Sequence, residues 1–246
     1  MTPFERLLAL GQERAVLFTV LEGAGAGSKL LALEGGETVG DGPVGLAAHA
    51  ADLLRSGRNR QLEYEGLQVF AEVYGPAPQL LVYGAVDTAE ALCAAAKLLG
   101  WTTTVADARA KFVTAERLPS ADRLIVAWPE QAFAEAAPDH ATAVVILTHD
   151  DKFDVPALQA ALASEAFYVG AIGSRRTQDR RRQRLLEAGL DESMLTRIAG
   201  PAGLDIGADT IGETAVSILS EILATRAGRA GGPLRNSKQR IHAGAS

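Results

Sequence analysis

The sequence predicts an α/β protein in which a parallel-sheet domain follows a small α+β domain. Three observations carry this. From Gln79 onward, short apolar runs alternate with helical stretches, which is the pattern of βαβ units closed by right-handed crossovers. Before "GPAP" (Gly75–Pro78) the runs read instead as strands around a single helix. With 246 residues and 48% hydrophobic content, the chain can bury a core in each part.

The early segment reads "AVLFTVLEG", "SKLLALEGGE", an amphipathic "VGLAAHAADLLRSG" and "RQLEYEGLQVFAEVY", with hairpins turning at Gly35-Gly36 and near Glu65-Gly66. Pro76 and Pro78 then break the pattern as a linker. The second part runs "QLLVYG", a helix over 87–99, "TTTVAD", "DRLIVAW", and a helix over 130–137. It continues with "ATAVVILT", a helix over 155–164, and "AFYVGAIG" leading into an arginine-rich helix. This makes a Rossmann-like C-terminal domain. A last helix, "DTIGETAVSILSEILATR", starts at a Thr210/Glu213 capping box. The expected division is therefore 1–75 for the α+β domain, 79–225 for the Rossmann-like domain, and 226–246 for a flexible basic tail that includes Arg226, Arg229, Arg235, Lys238 and Arg240.

Charge and cysteine usage narrow the function. A net charge of −6 and a pI near 5.3 argue against nucleic acid as the main partner, because phosphate neutralisation dominates such binding. Cys93 is the only cysteine and lies in the helical "AEALCAAAKLLG", so it reads as a buried, inert thiol rather than part of a disulfide or metal set. No signal peptide or run of 18 apolar residues occurs, which points to a cytoplasmic protein without a membrane partner.

Four stretches could carry chemistry. The first turn, "GAVDTA", keeps Gly84 of a dinucleotide fingerprint but places Val86 and Ala89 at the later glycine positions; a Val β-carbon obstructs the close approach of a pyrophosphate. Asp107 ends the next strand, where it could bind a ribose hydroxyl or pair with Arg109. "LTHDDKFD" puts His149 and Asp150 at the carboxyl edge of the sheet, suited to metal binding, proton transfer or plain capping, while Asp154 before Val155-Pro156 reads as a helix N-cap.

The third stretch, "GAIGSRR", contributes Gly170, Gly173, Ser174, Arg175 and Arg176 at a helix start, where free backbone N–H groups and guanidinium groups favour an anion. Farther along that helix Arg176, Arg180 and Arg184 form an i, i+4, i+8 stripe expected at the surface. Arg182 falls between Leu185 and Leu186 in projection and would need a partner if buried. The fourth stretch, "GPAGLDIGADT", offers Gly203 and Asp205 in a loop that either presents donors to a ligand or makes a tight turn.

Taken together, "LLVYGAVDTAEALCAAAKLLGWTTTVADAR", "VVILTHDDKFDVPAL", "YVGAIGSRRT" and "GPAGLDIGADTIGETAVSILSEI" closely resemble the XdhC/CoxI family of accessory proteins for molybdenum hydroxylases. The resemblance covers about residues 79–225. It implies a chaperone rather than a catalyst, one that binds molybdenum cofactor (molybdopterin or its dinucleotide form), holds it during sulfuration by a cysteine desulfurase, and delivers it to a hydroxylase apoprotein. A homo-oligomer is also expected.

Carried over residue by residue, the binding positions are Gly84, Asp107, Arg109, His149, Asp150, Gly170, Gly173, Ser174, Arg175, Arg176, Gly203 and Asp205, with no metal ligands and no catalytic residue. Two departures stand out: Val86-Asp87 replaces a frequent Gly-His, and the early segment lacks the cysteine-bearing "GGC" stretch. The alternative reading is an NAD(P)-dependent oxidoreductase with a degenerate fingerprint.

Overall fold

In the computed structural model, residues 1–238 are described; they fall into two compact units, which are taken separately. The first comprises Met1–Pro76 and the described residues from Gly232 onward. Its five-stranded antiparallel sheet runs β3-β2-β1-β5-β4, with β1 (Ala15–Glu22), β2 (Lys29–Leu33), β3 (Thr38–Gly40), β4 (Arg60–Tyr64) and β5 (Leu67–Tyr74).

Alternation along β1 decides which face each side chain fills. Val16, Phe18 and Val20 pack with Leu46, Leu53 and Leu54 of a 3-10 turn and of α2 (Ala50–Ser56), while Ala15 and Leu17 face a second cluster containing Leu10. The β4–β5 hairpin turns through Glu65 (φ 50°) and Gly66 (φ 79°), two left-handed residues that match the twist of the paired strands. A short helix absent from the sequence expectation, α1 (Pro3–Leu8), begins at a Thr2/Glu5 capping box with proline in its first turn.

The second unit, Ala77–Gly231, is the α/β domain. Its strands are β6 (Gln79–Tyr83), β7 (Thr102–Asp107), β8 (Arg123–Val126), β9 (Thr142–Ile146), β10 (Tyr168–Ala171) and β11 (Ile198–Ala199), all parallel in the order β11-β10-β9-β6-β7-β8. The chain builds outward from β6 to β8, then returns to lay β9 against the other side of β6. That reversal opens a crevice at the carboxyl ends of β6 and β9, where doubly wound sheets bind ligands. On one face α3 (Asp87–Lys97) and α8 (Ile211–Arg226) cover the sheet; on the other lie α4 (Pro129–Ala136), α5 (Asp151–Ala163), α6 (Arg175–Glu187) and α7 (Glu192–Leu195). Every residue of β9 is buried, as a central strand between two helical layers requires.

Several expectations are corrected. Helix α5 begins at Asp151, not at 155: Asp150 caps it by accepting from the Lys152 N–H at 3.2 Å, and Asp154 lies inside the helix, buried. The buried arginine of α6 is Arg181 rather than Arg182. The helix turns its core face about Leu185, so Gln178, Arg181 and Leu185, at i, i+3 and i+7, look inward. Arg182 is half exposed and pairs with Glu192. Arg184 of the expected surface stripe pairs with Asp151 of α5. Of the basic tail, residues beyond Lys238, including Arg240, lie outside the described residues; Leu234–Asn236 form a 3-10 turn.

Candidate functional site

The crevice is shaped first by its backbone. Gly84, just past β6, has φ +120°, and a Cβ there would stand 3.0 Å from the Leu147 carbonyl carbon. Only glycine lets the ends of β6 and β9 approach so closely. Val86 follows at the N-cap of α3 and faces the cleft.

Asp107, at the end of β7, is 1% exposed and accepts four hydrogen bonds. Two come from the Arg109 guanidinium, Nε at 2.9 Å and Nη2 at 2.8 Å; the others come from the N–H groups of Arg109 at 2.9 Å and Ala85 at 3.0 Å. Burial pushes the Asp107 carboxyl up, but these bonds outweigh it and hold the group below the usual carboxylate range. Of the two roles open to Asp107, the structure thus shows the pairing: it aims Arg109, with both of its own oxygens engaged. The Arg109 guanidinium also lies over the rings of Phe112, at 4.6 Å, and Phe153, at 5.7 Å.

Arg109 enters a cavity of about 520 Å³ lined also by Val86, Leu147, Thr148, His149, Asp150, Asp151, Phe153 and Arg180. His149 is exposed at its wall, and Asp150 is drawn toward Lys152 at 3.4 Å. Arg180 is exposed, as expected of the stripe, and it also lines the cavity; it makes no ion pair among the described residues. Beneath the floor, Thr148 donates to Asp154, which accepts from Arg181 Nη2 at 2.7 Å. Arg181 also donates to the carbonyl of Ile172 at 3.1 Å and to Gln178 at 2.6 Å. This sealed network ties the β9 loop to α5, α6 and the end of β10.

Of the sequence-derived positions, Arg109, His149 and Asp150 line this cavity, with Asp107 and Gly84 directly behind it. The others are not among its lining. Gly170 sits within buried β10, where a Cβ would strike the Tyr168 ring at 2.6 Å. Gly173 (φ +128°) leads into Ser174, whose hydroxyl caps α6 by accepting from the Thr177 N–H at 3.2 Å. Arg175 and Arg176 are exposed at that helix start and make no ion pair among the described residues. Gly203 donates to Glu221 at 2.8 Å and packs on α8, while Asp205 is exposed. Arg180, Phe153 and Arg181 are the residues that sequence reasoning missed. Among the described residues no group of three His, Cys, Asp or Glu side chains is placed to hold a metal ion.

Strand order and crevice define a Rossmann-like domain whose crevice is lined by the side chains of Arg109 and Arg180. A family model described as the XdhC Rossmann domain matches residues 80–222, and the chain belongs to the XdhC family.

Its relatives include a protein of Bacillus subtilis (strain 168) described as a probable xanthine dehydrogenase subunit, 32% identical over 158 residues, which are 64% of this chain and 46% of that protein. "Molybdenum cofactor insertion chaperone PaoD" of Escherichia coli (strain K12) is 31% identical over 160 residues, 65% of this chain and 44% of that one. "Uncharacterized protein YqeB" of the same strain is 31% identical over 166 residues, 68% and 30% respectively. The chain thus spans less than half the length of these relatives. A crystal structure described as a xanthine dehydrogenase from Bacillus halodurans shares the fold, with a TM-score of 0.56 at 20% identity over 97% of this chain and 98% of that one.

Proposed function

We propose that this protein is a cytoplasmic molybdenum-cofactor chaperone, binding the cofactor as cargo, holding it for sulfuration by a cysteine desulfurase, and passing it to a molybdenum hydroxylase apoprotein. Family membership and the chaperone named among its relatives support this reading. The observation that carries it is the crevice itself. Arg180, without an ion pair among the described residues, and an oriented Arg109 face one cavity of about 520 Å³ at the switch point of the sheet. Two guanidinium groups suit a phosphate, and His149 with the backbone of the β9 loop suits the polar edge of a pterin. Held through those ends, the cargo keeps its metal face open to the desulfurase and the hydroxylase. On this reading no residue of the chain is a catalyst, and self-association accompanies delivery.

The test is to purify the protein anaerobically from a host that makes the cofactor, then to assay molybdenum and pterin after denaturation. Both are expected in near-stoichiometric ratio. Absence of both overturns the reading. Arg109→Ala and Arg180→Ala should each weaken retention about tenfold, and Arg175→Ala, at the helix start outside the cavity, provides the comparison. A rise in melting temperature with NAD(P) instead would favour the oxidoreductase alternative.

A further inference from the structure

Away from the crevice, at the edge of the parallel sheet formed by β11, lies a cavity of about 310 Å³ between that strand, α6 and α7. Its size falls within the range of about 300–1,000 Å³ that small-molecule sites occupy. We propose that this cavity binds a free α-amino acid with an aliphatic or thioether side chain, its carboxylate against Arg181 and its ammonium against Asp179.

Arg181 forms the buried wall of the cavity, and its Nε is buried without a hydrogen-bond partner among the described residues. The rest of the guanidinium is engaged: Nη1 donates to Gln178 at 2.6 Å, and Nη2 to Asp154 at 2.7 Å and to the Ile172 carbonyl at 3.1 Å. An orphaned buried N–H is costly, and folded proteins almost always give one a partner. An acceptor oxygen entering the cavity supplies it. The bonds that leave Nε over also hold the guanidinium still, so the donor is positioned before any ligand arrives.

The charges lining the cavity select the ligand further. They are two of each sign, Arg181 and Arg182 against Asp179 and Glu192. Arg182 pairs with Glu192, and Arg181 with Asp154 behind the wall, whereas Asp179 is exposed and makes no ion pair among the described residues. A simple anion is repelled by Asp179, and a simple cation by the two guanidinium groups. A zwitterion, with one charge of each sign, meets both walls favourably. Between the charges lie Leu185 and Leu195, both buried, and the half-buried Ile198. These surfaces suit an aliphatic or thioether side chain. Two opposite charges joined to one apolar group describe an apolar amino acid.

The experiment titrates the purified chain with leucine, isoleucine, valine and methionine by calorimetry, then repeats the titration with the N-acetyl and carboxamide forms of whichever binds. At least one free amino acid should bind, and each blocked form, having lost one charge, should bind about tenfold more weakly. Asp179→Asn should weaken binding of the free amino acid about tenfold, and Thr196→Trp, a bulky side chain at an exposed residue of the cavity lining, should abolish it. Arg180→Ala, on the crevice side of α6, should leave it unchanged. Failure of all four amino acids to bind overturns the site, as does equal affinity for either blocked form or undiminished binding to Asp179→Asn or Thr196→Trp. Binding lost in Arg180→Ala assigns the amino acid to the crevice and overturns the site as well.

Discussion

Arg181 Nη2 lies 2.7 Å from Asp154 Oδ2 with both side chains almost sealed from solvent, at 3% and 4% exposure. The pair joins α6 to α5, and Thr148 attaches the β9 loop to the same carboxylate. A buried charge that loses its partner is strongly destabilising, by about 3–5 kcal/mol. Asp154→Ala should therefore lower stability by that amount in urea denaturation. A loss under about 1 kcal/mol would mean that Arg181 finds another partner.

Asp107 gives a pH signature. Because its folded-state carboxyl ionises below the ordinary value of about 3.9, its charged form adds stability that is fully present above that value. That contribution is lost as pH falls through the lower, folded-state value. Asp107→Asn should accordingly trail the wild type by a constant margin from neutrality to about pH 4, with the two converging in stronger acid. A margin that widened on acidification would contradict the assignment.

Burial pushes the Cys93 thiol up to about 12, with no exposed surface. Thiolate is the reactive form, so the native protein should resist alkylation at about pH 8 and become labelled only in denaturant. Cys93→Ala should deliver cofactor as the wild type does. Loss of sulfurated cargo in that variant, with the fold intact, would assign the thiol a part in sulfur transfer.

Gly84→Ala tests the crevice. Its φ of +120° costs a non-glycine residue about 1–3 kcal/mol, and the new methyl would press on the backbone at Leu147 and Thr148. Both stability and cofactor retention should fall. Unchanged retention would separate the β6–β9 approach from binding.

The sequence displayed the architecture through local signals: the change of rhythm after Gln79, the Thr210/Glu213 box and the Glu65-Gly66 turn. The Thr2/Glu5 box that opens α1 has the same spacing but was not read as a helix start. What stayed hidden depended on partners distant along the chain. Periodicity located a stripe on α6, with Arg180 exposed as expected, but not the α5 terminus and cavity that the stripe meets. The one-residue error between Arg181 and Arg182 has the same origin: Leu185 and Leu186 look alike in sequence, and only packing makes Leu185 the centre of the buried face. At Gly170 and Gly203 packing by itself calls for glycine, since a Cβ would meet Tyr168 or Ser217.

The pairing of Tyr83 with Ile146 across β6 and β9 brings together residues about 60 positions apart, after two intervening βα units. Contacts of this separation form late, because closing so long a loop must precede any reward. The arginines and walls of the crevice come from both sides of that closure, so a partly made or partly melted chain holds no site. On the proposed reading, cargo would stabilise the completed fold alone by mass action, and an occupied protein would by that fact be a correctly finished one.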